Sequence, residues 1–132
     1  MTTSSQLASA LIAVFEGERL RAYRDSGGVL TIGIGHTGPD VTEGMTITHE
    51  QAVTLFQKDK MDILSLLAGR PPTEVAALAS FGFNCGRGAL QKVLAGTDTI
   101  DNPRHRTDRS GSVLPGLVTR RRLEMALMGL TK

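Results

Sequence analysis

Apolar positions recur at helical spacing near the start of the chain: Leu7, Leu11 and Val14, with Ile12 and Phe15 beside them. This stripe predicts a helix over residues 5–18, capped by Ser4 or Ser5. The pattern then changes. From Asp25 to Gly38 the chain reads DSGGVLTIGIGHTG, with five glycines among aliphatic and β-branched residues. Such a segment is poor helix material, because each interior Gly costs about 1 kcal/mol. It suits a hairpin of short strands and tight turns instead. Helical periodicity returns after Thr48-His-Glu-Gln51, which has the hydroxyl-to-amide spacing of a capping box. A helix is expected over 49–67, with Val53, Phe56, Met61 and Leu64 inward, and Gly69-Arg-Pro-Pro72 ends it. Thr73 is the expected cap of the next helix, which runs through Val75, Leu78, Ala79 and Phe83 and breaks at Gly86 and Gly88. A short helix follows over 89–95 and stops at Gly96. Residues 97–112 hold one aliphatic side chain and no periodicity, and predict a loop. Pro115 opens the last helix, with Leu123, Leu127 and Leu130 expected on its inner face. The resulting fold class is α+β: mostly helical, with a small β element near the N-terminus.

A length of 132 residues fits one domain, 1–132. Hydrophobic and charged contents of 40% and 21% are those of a folded globular chain and exclude disorder throughout. Cys85 is the only cysteine, which excludes an internal disulfide. No apolar run approaches the ~20 residues that span a bilayer, so no membrane insertion is expected. The first residues carry no Lys or Arg ahead of their apolar run, which argues against a secretory signal and for synthesis and initial residence in the cytoplasm. Charge is asymmetric. Residues 1–86 carry 6 basic and 9 acidic side chains, whereas residues 87–132 carry 9 and 4. A basic C-terminal third suits an anionic partner, either nucleic acid or an acidic wall polymer. Nucleic acid is the poorer fit, because no Phe, Tyr or Trp stands among those cations to stack on bases. His36, His49 and His105 are scattered and Cys85 has no partner at a ligand spacing, so neither metal nor cofactor is expected.

Candidate chemistry lies in residues 16–36. Glu16 ends the first apolar stripe beside Phe15, where a shielded carboxyl holds its proton and can serve as a general acid. Asp25 opens a Gly-rich turn whose amides and water can keep it ionised. Two carboxyls in contrasting environments are what acid-catalysed glycoside cleavage requires. The Thr31 hydroxyl, on the following strand, can hold a water on the other side of the sugar. On spacing alone, a solvated helix end and a turn Asp are the better fit. Glu18 lies about 200° around the helix from Glu16 and reads as solvated surface. Gly33 and Gly35 let the strand turn tightly and approach a sugar closely. They do not form a phosphate loop, which needs a Lys and a third Gly.

The wording of this segment narrows the choice. Glu16-Gly-Glu-Arg-Leu-Arg-Ala-Tyr23, then Asp25, then Thr31-Ile-Gly-Ile-Gly-His36-Thr-Gly38 closely resembles the phage-type lysozymes, the endolysin muramidases of glycoside hydrolase family 24. The likeness continues through Gly44-Met-Thr-Ile-Thr48, Phe81-Gly-Phe-Asn84 with Gly86, and Leu114-Pro-Gly-Leu-Val118 leading into Arg120-Arg-Arg122. It implies a lysozyme-like fold, with a β-containing lobe at about 20–47, a helical remainder and a substrate groove between them. It also implies roles: Glu16 as the acid that protonates the β-1,4 linkage between N-acetylmuramic acid and N-acetylglucosamine, and Asp25 with Thr31 positioning the attacking water. Inversion at the anomeric carbon is implied, with carboxyls roughly 6.5–9.5 Å apart. The resemblance makes Asn84, otherwise a helix-terminal Asn, a groove residue that contacts substrate, as Gly33 would through its backbone. His36 is given a structural part, paired with Asp59 on the long helix. Arg120 shares the inward stripe of the last helix and is expected to reach toward Glu16 or shape the back of the site, with Arg121 and Arg122 facing solvent. A solvated basic helix is the alternative there.

As partners, the resemblance implies bacterial peptidoglycan as substrate and a holin, through whose lesions a monomeric enzyme held in the host cytoplasm reaches the periplasm and wall. Two alternatives remain: a peptidoglycan-binding module of the same fold with weak or no turnover, and a lytic transglycosylase. One departure stands out. Relatives usually carry a longer segment, often with a Trp-bearing helix, where this chain has only the polar residues 97–112.

Overall fold

A computed structural model describes residues 3–130. Thr3 caps the first helix, α1 (Ser4–Glu16), in a complete capping box with Gln6. The cap therefore lies one residue ahead of the two expected serines, and such a cap contributes about 1 kcal/mol. Gly17, at φ 62°, stops the helix immediately after Glu16. That places the carboxyl at a helix end rather than inside the helix.

Three short strands follow: β1 (Arg19–Arg24), β2 (Leu30–Gly33) and β3 (His36–Thr37), in antiparallel order β1-β2-β3. The register pairs Tyr23 with Thr31 and Ile32 with His36, and β1 bulges between Arg19 and Tyr23. Residues 45–47 pair along the outer side of β1, through Ala22 N–H to the Met45 carbonyl and Ile47 N–H to the Leu20 carbonyl. They cover what would otherwise be an open strand edge.

The helical body comprises α2 (His49–Leu64), α3 (Pro72–Cys85), α4 (Arg87–Leu94) and α5 (Pro115–Gly129). Thr48 and Gln51 form the expected capping box of α2. Every residue of α3 from Val75 to Gly82 is buried. A helix apolar on all sides belongs at the centre of a body, and α1, α2, α4 and α5 all pack on α3. Ile12, Ile63, Leu67, Leu78, Phe81, Leu90 and Ile100 build the core around it.

Four local expectations are corrected. Pro71 occupies the N-cap of α3 with Pro72 in its first turn, so no Thr73 cap is used; the ring presets the helical φ instead. Met61 is 68% exposed, and the inward positions of α2 are Ala52, Phe56, Lys60 and Ile63. The Lys60 stem covers apolar surface while its Nζ donates to Ser9 Oγ at 2.8 Å. Leu123 and Leu130 are 39% and 71% exposed, whereas Arg120, Arg121 and Glu124 are buried. The helix turns its charges inward because the back of α3 offers them partners. Finally, 97–112 is an organised segment rather than a bare loop. A 3-10 turn at Pro103–Arg106 buries His105, and Ile100 joins the core. Asp98 gathers Asn102, Arg104 and His105 onto its carboxylate, and these hydrogen bonds hold it well below the ordinary carboxylate range.

Candidate active site

A cleft of about 390 Å³ opens between the sheet and the ends of α1, α3 and α5. Glu16, Asp25, Thr31, Asn84 and Arg120 all line it, together with Phe15, Tyr23, Gly35 and Phe83. It runs into a second chamber walled by Arg104, Thr107 and Arg109, so the short 97–112 segment supplies one side of the groove.

Glu16 projects from the last position of α1 with 14% of its side chain exposed. Arg120 donates to its Oε1 from Nη1 at 2.6 Å. The same guanidinium lies 4.9 Å from the Phe15 ring centroid, which stacks it between an aromatic face and the carboxylate. Gly35 gives Glu16 its room. The glycine sits at φ 68°, and a Cβ there would fall 2.8 Å from Phe83 Cε1 and 2.9 Å from the Glu16 carboxyl carbon. Gly33, expected to approach the sugar, does not line the cleft. It is buried against Ala52 and Ile47 on the α2 side, and its part is the turn at φ 67°.

Asp25 is fixed by the turn it opens. Its Oδ1 accepts from the amides of Gly27 and Val29, each at 2.9 Å. This Asx arrangement orients the carboxylate through one of its two oxygens. Thr31 is 3% exposed and donates its hydroxyl proton to the Val29 carbonyl at 2.8 Å. With that proton engaged, Oγ1 can only accept a further hydrogen bond. Tyr23 closes this side, under Arg19 at 4.4 Å. Burial, with Glu16 and Asp25 nearby, pushes its phenol above the usual range, so it stays neutral.

His36 stands behind the sheet, 8% exposed. Its Nδ1 meets Asp59 at 2.7 Å and its Nε2 meets Asp40 at 2.9 Å. With a carboxylate on each nitrogen both must donate, which describes an imidazolium. Burial lowers its proton affinity, but the Asp59 and Asp40 carboxylates outweigh burial and the net shift is upward. Glu18 faces away and pairs with His49 at 2.6 Å on the surface.

Sequence reasoning missed the buried polar layer behind the cleft. Ser80 Oγ donates to Glu124 at 2.5 Å and accepts from Arg120 Nε at 3.1 Å. Arg121, expected in solvent, is 1% exposed. It reaches Glu124, the Cys85 sulfur and the His105 carbonyl. Only Arg122 of the three arginines is exposed. The spacing Arg-Arg-x-x-Glu at 120–124 was the available signal, since i, i+3 and i, i+4 pairs share a helix face.

A helical body, a small antiparallel sheet and a carboxylate-bearing cleft between them make this the α+β lysozyme fold. The chain belongs to the phage lysozyme family, whose profile matches residues 13–124. It is 45% identical over 84 residues to the endolysin of Salmonella phage P22, covering 57% of this chain and 58% of that protein. It is 34% identical over 122 residues to the SAR-endolysin of bacteriophage PS119, covering 83% of this chain and 73% of that one. The chain thus spans little more than half of the P22 endolysin. Among solved structures, the endolysin of Escherichia coli O157:H7 phage FAHEc1 superposes with TM-score 0.69 at 28% identity, covering 95% of this chain and 92% of that one. The muramidase domain of SpmX from Asticaccaulis excentricus gives TM-score 0.68 at 31% identity, with 96% and 97% covered.

Proposed function

We propose that residues 1–132 act as one muramidase domain. It hydrolyses the β-1,4 bond between N-acetylmuramic acid and N-acetylglucosamine in bacterial peptidoglycan. Glu16 is the general acid, protonating the glycosidic oxygen as the bond breaks. Asp25 Oδ2 and Thr31 Oγ1 both accept hydrogen bonds. A water that donates to both has a lone pair left to attack the anomeric carbon from the opposite face, with inversion, and passes a proton to the Asp25 carboxylate as the new bond forms. Arg120 and Phe15 hold Glu16 in place, and Asn84 offers an amide to the sugar from the end of α3. The observation that carries this reading is that Glu16 lines the same cleft as Asp25 and Thr31.

In the cell, the proposed course is lysis of a bacterial host. The enzyme, a monomer, waits in the cytoplasm and reaches the periplasm and wall through lesions made by a holin. Among the described residues no helix is long and apolar enough to cross a membrane. The test is clearing of outer-membrane-stripped cells by wild type and Glu16→Gln, with mass spectrometry of the fragments. Loss of clearing in the variant and hydrated reducing ends are expected from wild type. Equal clearing would remove Glu16 from the mechanism, and anhydro ends would replace hydrolysis by transglycosylation.

A further inference from the structure

Arg120 poses a difficulty for the acid it holds. Arg120 donates to Glu16 at 2.6 Å, a guanidinium binds a carboxylate more strongly than a neutral carboxyl, and a general acid must begin the reaction protonated. Something has to offset that positive charge. The buried layer behind the cleft contains the only other carboxylate facing Arg120 among the described residues. Glu124 is 0% exposed, and its Oε2 lies 3.6 Å from Arg120 Nε on the side opposite Glu16. Ser80 bridges the two, accepting from Arg120 and donating to Glu124.

Glu124 is buried against two guanidiniums, those of Arg120 and Arg121. Burial outweighs the pull of Arg121, Ser80 and Arg120, so the net shift of its carboxyl is upward. Donors converge on it: the Ser80 hydroxyl, Arg121 Nη2 at 2.9 Å and Arg121 Nε in a charge contact at 2.6 Å.

We infer that Glu124 is a positioning residue of the cleft. Its buried negative charge shares the Arg120 guanidinium, directly and through Ser80, and so weakens the hold of Arg120 on Glu16. Arg121 sets how much of that charge Arg120 receives, because it shares the same carboxylate. This inference rests on the reading of Glu16 as the acid. The charged and titratable groups facing Glu124 are Arg120 and Arg121 from its own helix and the Cys85 thiol from α3, with Ser80 a neutral partner. Facing Glu16 are Arg120 from α5 and Tyr23 from the sheet, with Asp25 near Tyr23.

The two partners give opposite predictions. In Glu124→Gln the countercharge is gone, and the alkaline limb of the rate profile moves to lower pH by about one unit, a roughly ten-fold loss of rate on that limb with recovery in acid. In Arg121→Gln the carboxylate acts on Arg120 alone, and the limb moves to higher pH. Glu124→Asp keeps the charge and restores most of the wild-type profile. The measurement is initial clearing rate against pH for each variant, with thermal melting to establish that it folds. A packing role would scale the rate equally at every pH. Superimposable profiles in either folded variant overturn the inference, and so does movement of the limb in the opposite sense. Either single variant suffices if the other does not fold. Full activity of Glu16→Gln would instead remove the reading beneath it, so the two failures are distinguishable.

Discussion

Gly35 offers a sharp test of how the cleft is built, because Gly28 supplies a matched control. Both glycines are left-handed, at φ 68° and 79°. An Ala at Gly28 meets nothing within 4 Å, whereas at Gly35 it meets Glu16 and Phe83. For an L-residue the left-handed region costs about 1–2 kcal/mol, partly offset by a stiffer unfolded chain worth about 0.4–1 kcal/mol. Gly28→Ala is therefore expected to cost about 1 kcal/mol, or about 4 °C of melting temperature for a chain of this size.

Gly35→Ala carries the same backbone cost plus a collision. The Phe83 edge at 2.8 Å cannot swing freely, because its ring packs edge-on against Phe56 with centroids 5.6 Å apart. Relief must come from Glu16, whose carboxyl carbon lies 2.9 Å from the new Cβ. Overpacking of this kind costs a further 1–3 kcal/mol or so. The larger effect is on rate: a catalytic group displaced by about 1 Å loses on the order of 100-fold. The assay is clearing rate at a temperature well below both melting points, paired with thermal melts. Gly28→Ala should keep near-normal activity, and Gly35→Ala should lose it out of proportion to its stability. Similar activity in the two variants would refute the claim that Gly35 makes the space for Glu16.

Three further outcomes are expected. His36 gains its partners on folding and its proton affinity rises above the ordinary value of 6.5, so its stabilisation is fully present below that pH and fades as pH climbs through the folded value; melting temperature against pH should show this, and Asp59→Asn should lower the His36 NMR titration midpoint, an unchanged midpoint disproving the pairing. Asp98 organises residues 98–105 through four hydrogen-bond donors, so Asp98→Asn should expose Arg104 and Arg106 to trypsin, and an unaltered cleavage rate would show that the segment holds its shape without it. Burial pushes the half-buried Cys85 thiol above its ordinary range against the opposing pull of Arg121; a disulfide reagent should therefore label it far more slowly than free cysteine at pH 8, and rapid labelling would contradict the raised thiol.

The front of the cleft was legible because its groups sit in local motifs. Glu16 is placed by a helix stop, Asp25 by an Asx turn and Thr31 by a two-residue strand pairing, and each leaves a mark within a few residues of itself. The back of the cleft was not, for the same reason inverted. Leu123, Leu127 and Leu130 fit a helical stripe as well as any core residues do, and hydrophobic periodicity cannot tell an inner face from an outer one when the inner face is charged. What turns α5 is Ser80, forty residues away and itself unremarkable in sequence. The order within 97–112 escaped in a similar way. Its organiser is one carboxylate with short-range polar partners, a device that buries little apolar surface and so leaves no periodic trace.

These two halves explain the architecture together. A proton donor must be shielded from water, yet a shielded acid has few contacts to hold it. Arg120 supplies the hold, and Glu124 shares that guanidinium. A buried charge of that kind is expensive alone. It is tolerable here because Arg121 neutralises it while tying α5 to Cys85 and to the His105 carbonyl. The tether to His105 brings residues 97–112 against α5, so the short segment that walls one end of the groove is anchored by the same ion cluster that sets the acid. Shape and proton affinity in this cleft are consequently coupled, and a substitution in either should be felt in the other.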